Sequence, residues 1–178
     1  MFDKTNLVWM DLEMTGLDPK KDRILELAVL ITDSQLNIIA EGPVVALHQS
    51  DDILASMDEW NTRTHTASGL VDRVRASDDN EFTCMNTVVS FMQRFVPPGV
   101  SPLCGNSIWQ DRRFIAAQRP YVDRYLHYRN IDVSSIKELV NRWDPGHEFK
   151  KEKRHEALSD IRESIAELAY YRANYFRI

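Results

Sequence analysis

The chain has 178 residues, 43% of them hydrophobic, enough for one well-filled core and too few for two, so a single domain over 1–178 is expected. A formal net charge of −5 excludes holding long nucleic acid by phosphate neutralisation alone, but not a short anionic substrate held through metal ions. The start MFDKTNLVWM has no basic stretch leading into a long apolar run, and the two cysteines, Cys84 and Cys104, form no CxxC pair; the expectation is a soluble cytoplasmic protein with reduced packing thiols and neither a disulfide framework nor structural zinc.

The first element is a strand, in which alternation sends Leu7, Trp9, Asp11 and Glu13 to one face and Val8, Met10 and Leu12 to the other. Apolar runs from Arg23 to Thr32 and from Leu36 to His48 predict two more strands in an antiparallel meander, with Asp33 and Ser34 suited to the turn between them. Phe82, Met85, Val89, Met92 and Phe95 recur at helical spacing until PPG at Pro97–Gly99 stops the element. SPLCGN then reads as a short strand, DRRFIAAQR as a short helix and YLHYRNIDVSS as a strand ending near Asp132. Ser134 or Ser135 is expected to cap the helix IKELVNRW, and Leu158, Ile161, Ile165 and Leu168 mark a final amphipathic helix. Three strands followed by alternating helix and strand predict an α/β domain with a mixed sheet. The charge run EFKKEKRHE, Glu148 to Glu156, reads as a solvated loop before the last helix.

Asp11 and Glu13 repel each other on one strand face, and burial raises the cost, so a compensating cation is needed. Basic side chains satisfy that need, and so does a hard divalent ion such as Mg²⁺ or Mn²⁺, which takes oxygen ligands. Alone, the pair is better explained by an ordinary strand edge. Asp111 and Asp160 add carboxylates near the starts of two helices, where each also suits the helix dipole, and His155 precedes Asp160 by five residues. Together, four acids at element ends and one loop histidine fit a two-metal phosphodiester hydrolase.

The blocks DLEMTGLDP, MDEWNTRTHTASGL, PLCGNSIWQDRRF, HYRNIDVSSIKEL and HEALSDIRESIAELAYYR resemble the successive signatures of the oligoribonucleases, within the DEDDh exonucleases, from about Asn6 to the C-terminus. The resemblance implies an RNase H-like fold, a homodimer, and Mg²⁺- or Mn²⁺-dependent release of 5′-mononucleotides from the 3′ end of very short RNAs. Matched residue by residue, it makes Asp11, Glu13, Asp111 and Asp160 the metal ligands and His155 the general base. It further implies that Leu17 wedges between the substrate bases and that Trp60 and His65 lie beside the substrate. Ser107 and Arg129, with His65 and with Tyr128 of the partner protomer, would cap the 5′-phosphate. His48, His127 and His147 carry no assigned role. Trp109 stands where the family mostly has a small residue and Ser159 where it usually has an Asp, which bear on substrate fit and metal affinity.

Two other readings use the same residues differently. An exonuclease trimming single-stranded tails keeps the acids but has an open 5′ side and no role for Arg129. A non-catalytic module that sequesters short nucleotides needs no water-activating histidine.

Overall fold

The structure, a computed structural model, describes residues 1–146, 149 and 156–177, with the side chains of Glu81, Phe82 and Met85 excepted. Strands β1 (Leu7–Met14), β2 (Ile24–Thr32) and β3 (Ile38–Ala46) form the expected antiparallel meander. On its other edge β1 pairs in parallel with β4 (Leu103–Gly105), which pairs in parallel with β5 (Asn130–Asp132). The sheet order is therefore β3-β2-β1-β4-β5, a mixed sheet with β1 at its centre.

The period-two pattern of β1 divides the core. Val8, Met10 and Leu12 pack on one face with Cys84, Val88 and Met92 of α4 (Glu81–Gln93) and Phe114 and Ile115 of α5 (Ile108–Gln118). On the other face Trp9 joins Ala28, Leu30 and Cys104 against Val140 of α7 (Val133–Trp143) and Ile161, Ile165 and Leu168 of α8 (Ala157–Tyr175). The buried Trp9 ring keeps its polar atom satisfied by donating to the Thr32 hydroxyl at 3.0 Å. Because Asp11 and Glu13 share the Trp9 face, the strand delivers both to the side of the sheet covered by α8.

Several elements differ from expectation. Helices α1 (Asp51–Ala55), α2 (Glu59–Ala67) and α3 (Leu70–Ala76) have no counterpart in the sequence reading. The α2 segment EWNTRTHTA is largely polar and buries only His65, so it lacks an apolar stripe; its start is set by Asp58, whose side chain accepts from the Asn61 N–H. In α4 the buried row is Cys84, Val88 and Met92; of the predicted row Met92 is buried as expected, while Val89 and Phe95 are only partly buried. Both cysteines are free and buried, as expected, and burial pushes the Cys84 thiol up to about 11. The predicted strand from Tyr125 shrinks to β5, preceded by the short helix α6 (Pro120–Tyr125), whose proline at the first turn fits the missing N–H. Helix α7 is capped neither by Ser134 nor by Ser135. Asp132 caps it, its carboxylate accepting from the Ser134 N–H at 3.0 Å, because the helix starts at Val133 and both serines fall inside its first turn. Among the described residues no helix is long and apolar enough to cross a membrane.

Candidate active site at the carboxyl ends of the parallel strands

The carboxyl ends of β1, β4 and β5 open on one side of the sheet, beside the point where the parallel strands give way to the antiparallel β2. This is where α/β sheets build ligand sites. Asp11 and Glu13 project from the end of β1 toward α8, whose first turn carries Asp160. Each of the three offers a carboxylate oxygen, and these atoms all lie within 4.8 Å of one another. Oxygens about 2.1 Å from one Mg²⁺ are at most about 4.2 Å apart, so small side-chain rotations would bring this set into one shell. Three hard oxygen donors without thiolate or imidazole suit Mg²⁺ or Mn²⁺.

Asp111 is buried beside this group, outside it. It sits in the first turn of α5, and its Oδ1 accepts the backbone N–H of Leu12 at 3.0 Å, so one carboxylate oxygen is tied to β1 between Asp11 and Glu13. Burial pushes the Asp111 carboxyl well above the usual range, with the Leu12 hydrogen bond opposing it. Glu13 is driven up to about 8, first by burial and then by the charges of Asp160, Glu26 and Asp111. A divalent cation would reverse that preference for the protonated form. Behind Glu13, directly across the β1–β2 ladder, lies buried Glu26, paired with the Arg73 guanidinium of α3 at 3.0 Å.

The loop after β1 carries Leu17, 70% exposed, opposite Trp60 of α2, 52% exposed; neither is a core residue. They line one cavity of about 630 Å³ with Thr15, Gly16 and Asn61. Gly16 is required there, since a Cβ would fall 2.5 Å from the Asp22 carboxylate that holds the loop by accepting from the Asp18 N–H at 2.8 Å. Helix α5 fixes the same loop from below: Gln110 donates to the Leu17 carbonyl at 2.7 Å and Gln118 to the Asp22 carbonyl at 2.7 Å. His65 is buried, its Nε2 donating to the Met14 carbonyl at 3.0 Å and its Nδ1 facing Glu13 at 3.8 Å. It therefore braces the β1 end.

Around the ends of β4 and β5, Ser107 adopts the left-handed region, φ 49° and ψ 30°, a conformation costing a non-glycine residue about 1–2 kcal/mol. Its N–H donates to Asp132 Oδ1 and Ser134 Oγ, both at 2.9 Å, and the two serine hydroxyls are 3.1 Å apart. Tyr128 and Arg129 are exposed neighbours in the irregular segment leading to β5, the Arg129 Nε donating to the Tyr128 hydroxyl of its own chain at 3.2 Å. The Arg129 carbonyl accepts from Arg112, which anchors this corner to α5. Trp109, 55% exposed, lies under the Arg113 guanidinium, 5.7 Å from the ring centroid, and Ser159 is half-buried in the first turn of α8. The expected base His155, together with His147 and most of the 148–156 charge run, lies outside the described residues. Asn106 and Glu26 carried no assigned role in the sequence, and Ser134 only that of a helix cap, because their partners are distant along the chain: Asn106 meets Glu167 of α8, Ser134 meets Asn106 and Ser107, and Glu26 meets Arg73.

Comparison with known proteins agrees with this geometry. The RNase_T model, described as Exonuclease, matches residues 8–168. The chain is 59% identical over 178 residues to a protein named oligoribonuclease from Shewanella loihica, covering 99% of this chain and 98% of that one. It is 57% identical, with the same coverage, to one of that name from Shewanella baltica. Among solved structures, the metal-free form of the E. coli exonuclease I complex with single-stranded DNA matches with a TM-score of 0.73 at 19% identity, covering 96% of this chain and 40% of that one. The zinc-bound form matches with a TM-score of 0.74 at 18% identity, over 97% and 41%. The chain spans about two fifths of those exonuclease I chains, and at such identity the likeness concerns the fold, which is RNase H-like as the sequence implied. The chain is a hydrolytic nuclease and belongs to the oligoribonuclease family of exonucleases.

Proposed function

We propose that the protein hydrolyses dinucleotides and other very short RNAs from the 3′ end to 5′-mononucleotides, using two divalent ions, Mg²⁺ or Mn²⁺. The observation that carries this reading is the meeting of Asp11, Glu13 and Asp160 within 4.8 Å in a chain 59% identical to a protein named oligoribonuclease. Bound divalent ions supply a water of lowered pKa and neutralise charge on the departing oxygen. Asp11, Glu13 and Asp160 would hold the metal, with Asp111 contributing from beside them while its Oδ1 braces β1 through the Leu12 N–H. His155 would serve as the general base toward the attacking water, since an imidazole titrates near neutrality and accepts a proton at working pH.

Selection of short substrates follows from recognising both ends. Leu17 packs between the two bases with Trp60 beside it, and His65 fixes the adjacent end of β1. Ser107 and Arg129 bind the 5′-phosphate by charge-assisted hydrogen bonds, with Tyr128 reaching in from a second copy in a homodimer. The whole chain acts as one catalytic domain, in the cytoplasm. Longer RNA has to displace the cap.

Purified protein incubated with 5′-labelled RNAs of increasing length, in Mg²⁺ or Mn²⁺, tests the proposal. Fast release of mononucleotides from the dinucleotide and a steep fall with length support it. Equal rates at every length would remove the length selection, and undiminished cleavage in excess chelator would remove the metals.

A further inference from the structure

Glu167 of α8 is fully buried, at 0% exposure, and stands outside the carboxylate group of the site. Its Oε1 accepts the Tyr171 hydroxyl at 3.0 Å and lies 3.7 Å from the Lys137 ammonium. Its Oε2 accepts the Asn106 side-chain amide at 3.1 Å. A carboxylate only accepts, so it dictates which way Asn106 faces. The Asn106 Nδ2 points to Glu167 and to Ser164 Oγ, at 2.7 Å, and its Oδ1 points to Ser134, whose hydroxyl donates to it at 3.0 Å.

That orientation propagates one step further. With its single proton engaged by Asn106, Ser134 Oγ is left as an acceptor, and it receives the Ser107 N–H at 2.9 Å and the Ser107 hydroxyl at 3.1 Å. The Ser107 proton is thus kept as a donor, and the left-handed backbone of Ser107 is pinned through Ser134 and Asp132. The Asp132 carboxylate is itself turned onto the Ser107 and Ser134 backbone N–H groups, at 2.9 and 3.0 Å. The network therefore runs from the interior of α8 through Asn106 to the hydroxyls at the end of β4.

We propose that Asn106 and Glu167 are positioning residues for 5′-phosphate recognition: Glu167 orients Asn106, and Asn106 holds Ser134 and Ser107, so that the Ser107 hydroxyl, whose proton faces Ser134 in the free protein, turns that proton to the phosphate when the substrate binds. The inference rests on the 5′-phosphate cap described under the proposed function. Neither residue touches substrate. When the network is broken, Ser107 relaxes from its left-handed conformation and binding of the phosphorylated end weakens, before any effect on the carboxylate group.

The test compares a 5′-phosphorylated dinucleotide with its 5′-hydroxyl counterpart, as a ratio of kcat/KM in saturating Mg²⁺, for the full-length chain and its variants. Asn106→Ala is expected to lower the ratio about tenfold, with the loss in KM for the phosphorylated substrate and a smaller loss for the hydroxyl one. Glu167→Leu, which removes the acceptor that orients Asn106, is expected to reproduce it. Glu167→Gln is expected to rescue the ratio, since its Oε1 can face Asn106 while the Tyr171 hydroxyl reverses to accept from Nε2. Should Glu167→Leu not fold, Asn106→Ala alone decides. A parental ratio retained by folded Asn106→Ala overturns the inference, as does an equal fall for both substrates through kcat, which would assign the network to Asp160. A ratio near one in the parent protein overturns the cap itself and this inference with it, and is recognised without any variant.

Discussion

Replacing Glu13 with Gln should stabilise the metal-free protein while abolishing its response to metal. Glu13 is raised from the ordinary 4.5 to about 8 by burial and by the charges of Asp160, Glu26 and Asp111. Its folded-state value therefore lies above its unfolded one, so between about pH 4.5 and 8 the native chain keeps a proton that the unfolded chain has lost. The favourable contribution is complete below about pH 4.5 and disappears as pH rises toward 8. At about 1.4 kcal/mol per pH unit, the penalty near neutrality is on the order of 3 kcal/mol. Glu13→Gln has no such proton to lose, so the variant should match the parent near pH 4.5 and exceed it by a few kcal/mol near pH 8. Urea unfolding in excess chelator across that range measures the gap. Repeating it in Mg²⁺ should raise the parent strongly near pH 8 and the variant little, because the metal stabilises only the state that binds it. A variant no more stable than the parent at any pH, or one that gains equally from Mg²⁺, would refute the electrostatic account of this cluster.

Other substitutions separate structure from chemistry. Asp111→Asn keeps an acceptor for the Leu12 N–H and should fold normally while losing metal-dependent turnover, whereas Asp111→Ala orphans that donor and should cost about 1–3 kcal/mol in denaturant unfolding. Leu17→Ala removes a side chain that is 70% exposed, so stability should shift by less than about 0.5 kcal/mol while KM for a dinucleotide rises severalfold. Arg73→Met leaves Glu26 buried without the guanidinium at 3.0 Å; thermal unfolding should show a loss of about 2 kcal/mol, below the usual figure for a broken buried pair because Arg73 itself is half in solvent.

Much of the site could be read in the sequence because its parts are local. The alternation of β1 fixed the shared face of Asp11 and Glu13, and the apolar spacing of α8 fixed the turn bearing Asp160. Their convergence follows from α8 packing on the Trp9 face. What escaped had no local signature. Helix α2 is polar and owes its place to the Asp58 cap and to buried His65, so periodicity passed over it. The α7 cap was misassigned among three residues able to cap, Asp132, Ser134 and Ser135, because β5 passes directly into a helix that starts at Val133 and takes in both serines. Glu167 sits on the same apolar stripe as Leu168 and Tyr171, and in one dimension it resembles any surface glutamate of a helix; only the approach of Asn106, 61 positions away, shows otherwise. Leu17 and Trp60 show the converse, since composition alone favours burying both and each is exposed over the same cavity.

The most direct test of the account is a crystal of the protein soaked with Mn²⁺ and a 5′-phosphorylated dinucleotide bearing a non-hydrolysable linkage, with the metal located by anomalous scattering. The account predicts manganese peaks among Asp11, Glu13 and Asp160 with the scissile phosphate against them. Peaks elsewhere, or a dinucleotide bound with no metal between these carboxylates, would contradict it.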